Sequence, residues 1–182
     1  MKNTNHSLFD KYEMIKDLGT GSSGSVTLVR HISMDQERAL KKVPKASAFA
    51  ESALSEARLL KSLEHPSIPR IFDFEEDNAF YYIVEEYIDG ETLDSFLLHQ
   101  QLISPGLFFN ICEQLCNVFI YLHTQISTPI IYRDLKPEHI IVCHNKLKLI
   151  DFGVSAYVIQ DGNNFNHYGN IEFSAPECFT ED

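Results

Sequence analysis

Apolar and polar positions alternate from Tyr12 to Leu18, break at Gly19-Thr20-Gly21-Ser22-Ser23-Gly24, and alternate again over Val26-Thr27-Leu28-Val29. A period of two marks extended chain with one buried face, so two strands joined by a glycine-rich turn are predicted. Arg38 to Val43 is a third short strand, ended by Pro44, which has no N–H to donate to a ladder. From Ala46 to Leu63 the period lengthens, and Phe49, Ala53, Ala57, Leu60 and Leu63 fall on one helical face. His65-Pro66 closes that helix, because the residue before a proline leaves the α region. Ile68 to Phe74 and Phe80 to Tyr87 then read as a hairpin around Glu75-Glu76-Asp77-Asn78. Ser104-Pro105 is an N-cap followed by proline at the first helical position. Behind it Phe108, Ile111, Leu115, Val118, Phe119 and Leu122 make a stripe expected to be buried. Strand-like pieces follow at Pro129 to Tyr132, Ile140 to Cys143 and Leu147 to Ile150, and the polar stretch Gln160 to Asn170 reads as a loop. A sheet-rich part precedes a helical part, which is an α+β pattern with a natural cleft between the two.

The balance of charge narrows the partners. The 182 residues carry 15 Lys+Arg against 26 Asp+Glu, a net charge of −11. Phosphate surfaces are held by clustered Lys and Arg, so nucleic acid and anionic membranes are not expected as partners, and basic ones are mildly favoured. No stretch reaches about 18 uncharged apolar residues, so no membrane span is expected. The start, Met1-Lys2-Asn3-Thr4-Asn5-His6, lacks the apolar core of a signal peptide. The four cysteines form no Cys-x-x-Cys pair, and Cys112 and Cys116, one helical turn apart, read as core packing. A reduced, cytoplasmic protein is the expectation.

Gly19-Thr20-Gly21-Ser22-Ser23-Gly24-Ser25-Val26 fits G-x-G-x-x-G-x-V, which by itself suits a structural hairpin as well as a phosphate cradle. A dinucleotide fingerprint would open a helix; here the glycines lead into a strand, giving a lid whose N–H groups can approach phosphates without Cβ clashes. Lys41 lies on the next strand, and Glu56, 15 residues later at the edge of the helical stripe, needs a partner that Lys41 would supply. Tyr132-Arg133-Asp134-Leu135-Lys136-Pro137-Glu138-His139 is followed, 12 residues after His139, by Asp151-Phe152-Gly153. Two carboxylates at the ends of short apolar strands suit one proton-accepting and one metal-binding role. Asp134 would orient a hydroxyl and take its proton, Asp151 would hold Mg²⁺, and Lys136 would add positive charge near the transferred phosphoryl group.

With these ordered elements the sequence resembles the eukaryotic-like (Hanks-type) protein kinase family, from about Tyr12 to the last residues, Ala175-Pro176-Glu177 included. The resemblance implies a bilobal kinase-like fold: residues 1–88 as an N-lobe and hinge, an antiparallel sheet with one helix, and residues 89–182 as a mainly helical, partial C-lobe. It implies ATP and Mg²⁺ as cofactors and γ-phosphoryl transfer to a protein Ser or Thr. Gly19, Gly21 and Gly24 would cover the phosphates, and Lys41, paired with Glu56, would hold them. The Glu86 carbonyl and Ile88 N–H would meet the adenine edge, and Val26, Ala39 and Ile141 would sandwich its ring. Leu60, Ile71, Tyr132 and Phe152 would stack as a regulatory spine. Tyr132 in place of histidine is a variant associated with bacterial members.

Several positions depart from the family pattern. His139 stands where asparagine normally binds a second metal; an imidazole suits softer ions, so either the second metal binds poorly or Mn²⁺ outperforms Mg²⁺, or else His139 hydrogen-bonds Asp134 and one metal suffices. Glu85 occupies the gatekeeper position, where it would reach Lys41 or turn to solvent. Arg133 could receive an activating phosphate, yet Tyr168 is the only hydroxyl side chain between Gln160 and Glu172, and Asn170 replaces a threonine. The chain stops five residues past Glu177, so C-lobe helices are expected to be missing: either the chain is truncated, or another chain covers the surface they would occupy. The alternative function is a pseudokinase or nucleotide-binding scaffold; a small-molecule kinase fits Asp-Leu-Lys-Pro-Glu and Ala-Pro-Glu less well.

Overall fold

A computed structural model describes residues 8–21, 24–99, 103–158 and 172–176. They fall in two compact units, one running to residue 63 and taking 69–87, the other taking 64–68 and everything from 88.

The first unit is an antiparallel sheet in the order β1-β2-β3-β5-β4, formed by β1 (Tyr12–Gly21), β2 (Gly24–His31), β3 (Gln36–Pro44), β4 (Ile71–Glu76) and β5 (Phe80–Glu86). On one face Val43 and Ile83 pack against Ala53 and Ala57 of helix α2 (Ala50–Lys61). On the other, Tyr12, Val29, Leu40, Tyr82 and Val84 are closed by Leu8 of the one-turn helix α1 (Leu8–Lys11), which the apolar pattern does not announce. Lys11 pins that helix through a 2.7 Å ion pair with Asp73. Helix α2 starts at Ala50, later than the apolar spacing implies. After Pro44 the chain stays tied to the sheet by Lys45 N–H donating to the Ala79 carbonyl, so the next residues turn and Phe49 is left 44% exposed. The β4–β5 turn is made by Asp77, whose carboxylate accepts the N–H groups of Ala79 and Phe80 and the Tyr82 hydroxyl. Those bonds, the two backbone ones foremost, hold its pKa below the ordinary carboxylate value.

Gly24 sits where β2 leaves the glycine-rich turn, with φ +143°, and a Cβ there would lie 2.2 Å from the Lys42 carbonyl oxygen. Gly19 and Gly21 have open space where their Cβ would be. Gly24→Ala is therefore expected to lose at least about 1–3 kcal/mol of stability, while Gly19→Ala and Gly21→Ala stay within about 0.5 kcal/mol of wild type. Chemical denaturation of the three variants checks this, and equal losses at all three positions would refute it.

The second unit begins with the segment 64–68. Ile68 N–H closes a turn on the His65 carbonyl, and the Ser67 carbonyl accepts Leu149 N–H at 2.8 Å. That docking delays β4 to Ile71, three residues beyond the predicted start. The unit continues through β6 (Glu91–Thr92), α3 (Leu93–His99), α4 (Pro105–Ile120), β7 (Ile130–Ile131), β8 (Ile140–Cys143), β9 (Lys146–Leu149) and β10 (Ala156–Tyr157). Strands β6, β8 and β9 form one sheet, β7 and β10 a second. Ser104 caps α4 by accepting Leu107 N–H at 3.2 Å. Along α4 and the wider turn at Tyr121–Gln125, Ile111, Val118 and Leu122 are buried and Leu115 and Phe119 half-buried, but Phe108 is 54% exposed. The helix is anchored on β9 through Gln114, whose side chain meets Asn145 and Leu147. Phe108 lies nearly two turns earlier, beyond that anchor. Among the described residues no helix is long and apolar enough to cross a membrane.

His65 gives this unit a proton linkage. Its ring lies 5.1 Å from that of Tyr121, and its Nδ1 accepts Ser67 N–H at 3.1 Å. Burial first, then the Lys148 charge, holds its pKa below 6.5. The unfolded chain thus takes up this proton more readily than the folded one. The stabilisation is complete above pH 6.5 and is lost as pH falls through the lower folded value. Thermal unfolding of wild type and His65→Asn should therefore separate differently on the two sides of pH 6.5, with the pH-linked part of wild-type stability missing from the variant; parallel curves from pH 5 to 8 would refute the linkage.

Candidate active site

In the first unit the predicted nucleotide-contacting residues share one sheet. Gly19 faces Val26 across β1 and β2, and Gly21 faces Gly24, so the glycine-rich segment is the tip of a hairpin whose Ser22 and Ser23 lie outside the described residues. Lys41 pairs in register with Val26 on one side and Ile83 on the other, which aims it at the face covered by α2. There its ammonium donates to the Glu56 carboxylate at 2.6 Å, with the two side chains only 16% and 8% exposed. The spacing that puts Glu56 on the Ala53/Ala57 face of α2 is what delivers the carboxylate. Ala39 is buried and Val26 half-buried. Glu85, half-buried, faces Ala39 and Ile71 across its neighbouring strands, and Glu86 ends β5. Leu60 is buried in α2, and Ile71 packs against the Val43 cluster.

In the second unit Asp134, Lys136, His139 and Asp151 come together. Tyr132 is 2% exposed, donates its hydroxyl to the Ile150 carbonyl, and meets the Phe152 ring edge-on at 5.0 Å. Arg133 has φ +73° and Asp151 φ +60°, left-handed conformations that non-glycine residues adopt at a cost and that are held by their surroundings. Pro137 opens a single tight turn, Pro137–His139, that folds His139 back onto Asp134. Lys136 Nζ donates to the Asp134 carboxylate at 3.0 Å, and His139 Nδ1 lies 3.0 Å from the Asp134 carbonyl and 3.4 Å from its Oδ2. A carbonyl oxygen has no proton to give, so Nδ1 carries the hydrogen of this contact. His139 Nε2 lies 3.4 Å from Asp151 Oδ2.

The β8–β9 hairpin explains why residues 12 apart in sequence meet. His144 and Asn145, with φ +48° and +64°, make its turn, and Ile150 N–H returns to the His139 carbonyl at 2.9 Å. Asp151 is therefore delivered beside the imidazole, with half its side chain open to solvent. Ile88 and Ile141 belong to this unit and are half-buried. Ala175 and Pro176 are exposed; Tyr168, Asn170 and Glu177 lie outside the described residues.

One participant escaped the motif reading. Ser155 donates its hydroxyl to the Tyr132 carbonyl at 3.0 Å. No periodicity or spacing signals such a bond.

Comparison with known proteins adds an independent observation. The family described as "Protein kinase domain" matches residues 12–182. Serine/threonine-protein kinase PrkC of Bacillus subtilis is 30% identical over 176 residues, covering 92% of this chain and 26% of that protein. Calcium-dependent protein kinase 4 of Plasmodium falciparum is 33% identical over 192 residues, covering 97% and 35% respectively. Serine/threonine-protein kinase ppk25 of Schizosaccharomyces pombe is 34% identical over 167 residues, covering 89% and 39%. The chain thus spans between about a quarter and two fifths of these relatives' lengths.

Proposed function

The chain belongs to the protein kinase family, and from that premise we propose that it is the ATP-dependent catalytic part of a Ser/Thr kinase, moving a γ-phosphoryl group to a protein hydroxyl. The observation that supports this reading above others is the cluster in which Lys136 and His139 both engage Asp134 while His139 also faces Asp151. Asp134 takes the proton of the attacking hydroxyl, and Lys136, on the same carboxylate, places positive charge beside the reacting oxygen. Lys41, steadied by Glu56, holds phosphate oxygens, and the glycines of the β1–β2 hairpin let backbone N–H groups approach them, which the open space at Gly19 and Gly21 permits. On the first unit the Glu86 carbonyl and the side chains of Val26 and Ala39 hold adenine. The dependence on ATP makes a cytoplasmic location part of the proposal.

The residues present fit a divalent cation. Asp151 Oδ2 and His139 Nε2 offer an oxygen and a nitrogen donor 3.4 Å apart. Among the described residues no group of three or more His, Cys, Asp or Glu side chains could hold a metal ion, so the pair would share the ion with phosphate oxygens and water. Such an ion supplies charge neutralisation on the phosphates. Imidazole favours softer ions than Mg²⁺, so wild type is expected to prefer Mn²⁺. His139→Asn should shift the Mn²⁺/Mg²⁺ affinity ratio toward Mg²⁺ by about tenfold, read by electron paramagnetic resonance of free Mn²⁺ during Mg²⁺ competition. An unchanged ratio would remove His139 from the metal site.

The proposed activity is tested by incubating the chain with ATP labelled in its γ-phosphate and a generic basic protein. Label on Ser or Thr of the acceptor supports the reading. Nucleotide binding without any transfer, with either metal, would overturn it in favour of a scaffold.

A further inference from the structure

The segment after Asp151-Phe152-Gly153 returns to the chain that carries Asp134. Ala156 pairs with Ile131 and Tyr157 with Ile130, and Val158 N–H donates to the Pro129 carbonyl at 2.8 Å. Continued by one step, this antiparallel register would set Ser155 opposite Tyr132. Antiparallel pairs alternate between bonded and non-bonded positions, and with Val158 bonded to Pro129 the 155/132 position carries no main-chain rung; Ser155 N–H instead meets the Phe152 carbonyl at 3.0 Å. The Ser155 hydroxyl supplies a cross-strand bond where the ladder has none, donating to the Tyr132 carbonyl at 3.0 Å. Tyr132 is 2% exposed, so water is a poor substitute for this donor. The next residue, Arg133, carries the left-handed turn at φ +73° that sets the course of the chain into Asp134.

We propose that Ser155 is a positioning residue: its side-chain hydroxyl extends the β7–β10 pairing by one bond beyond its main-chain rungs and fixes the backbone from which Asp134 projects. The same bond ties the segment leaving Asp151 to the segment entering Asp134, so one hydroxyl sets the spacing of both acidic stretches. Because Ser155 touches no reacting atom in this arrangement, its loss acts on the chemical step through backbone placement and leaves nucleotide affinity alone. The inference rests on the phosphotransfer reading above for its kinetic arm, and on main-chain geometry alone for its structural arm.

Both arms are read on the full chain with Ser155→Ala and Ser155→Thr. In the structural arm, hydrogen exchange of amides 130–135 is followed by mass spectrometry, with β8 and β9 as the folding control. Ser155→Ala should speed exchange over 130–135 by about tenfold while β8 and β9 stay protected, and Ser155→Thr, which keeps the hydroxyl, should match wild type. In the kinetic arm, Ser155→Ala should lower kcat about tenfold with the KM for ATP unchanged, and Ser155→Thr should restore kcat. Wild-type exchange over 130–135 in Ser155→Ala, or a rise spread evenly over the unit, overturns the proposal. Localised exchange with an unaltered kcat overturns its catalytic half. If wild type transfers no phosphate at all, the phosphotransfer reading fails, and the latch stands or falls on the exchange result.

Discussion

Asp134→Asn is expected to lower kcat for phosphotransfer by about 10³-fold while leaving the nucleotide dissociation constant within about twofold of wild type. The size follows from what the substitution preserves. The main-chain carbonyl that accepts His139 Nδ1 at 3.0 Å is untouched. The amide oxygen of asparagine can still accept Lys136 Nζ, which donates to the carboxylate at 3.0 Å. Shape, volume and the local bonds therefore survive, and the one property removed is a carboxylate able to take a proton. Lys136→Met offers the comparison: it keeps the base and removes the charge beside it, with a loss of about 10²-fold. Rapid quench with γ-labelled ATP separates the chemical step from product release. An Asp134→Asn rate within about threefold of wild type would mean that the hydroxyl loses its proton elsewhere.

Most of the parts that place these groups are visible in the residues themselves, because they rest on local rules. The strand over Arg38 to Val43 and the helical face of Ala53 and Ala57 follow from side-chain period, and together they put Lys41 within 2.6 Å of Glu56. Proline after Lys136 marks the turn that returns His139 to Asp134, and twelve residues are what a short hairpin needs to bring Asp151 beside the imidazole. The parts not visible depend on tertiary contacts. Helix α1 is one turn long and exists because Leu8 fills the sheet's second face. Helix α3 has seven residues, and its Leu98 is 85% exposed, so no clean apolar stripe announces it. The delayed start of β4 reflects the docking of Ser67 on Leu149, a bond between residues far apart in sequence. Phe108 shows the converse failure: helical spacing identifies a face, but only the anchor at Gln114 decides how much of that face is covered. Ser155 belongs with these, since a hydroxyl that bonds a carbonyl on a distant strand has no pattern along the chain.

Lys41→Met is expected to reduce phosphotransfer by about 10²–10³-fold, the scale for removing one charge-stabilising group. Glu56→Gln, which keeps a side chain able to hydrogen-bond the ammonium, should cost about tenfold. The informative quantity is the double variant. Glu56 lies 8% exposed on α2 with its carboxylate 2.6 Å from the ammonium, so its proposed effect on the chemistry runs through Lys41 and not through the phosphates. Lys41→Met/Glu56→Gln should therefore be no slower than Lys41→Met alone, a cycle in which the second substitution counts for nothing once the first is made. Stability should follow a different rule. Lys41→Met leaves the buried carboxylate without this cation and destabilises the first unit, whereas the double variant, with a neutral amide facing a thioether, should recover part of that loss. Denaturant midpoints measured beside the rates separate the two effects. Multiplied losses in kcat would show that Glu56 reaches the reacting phosphates independently of Lys41, and the pair would then act as two separate groups.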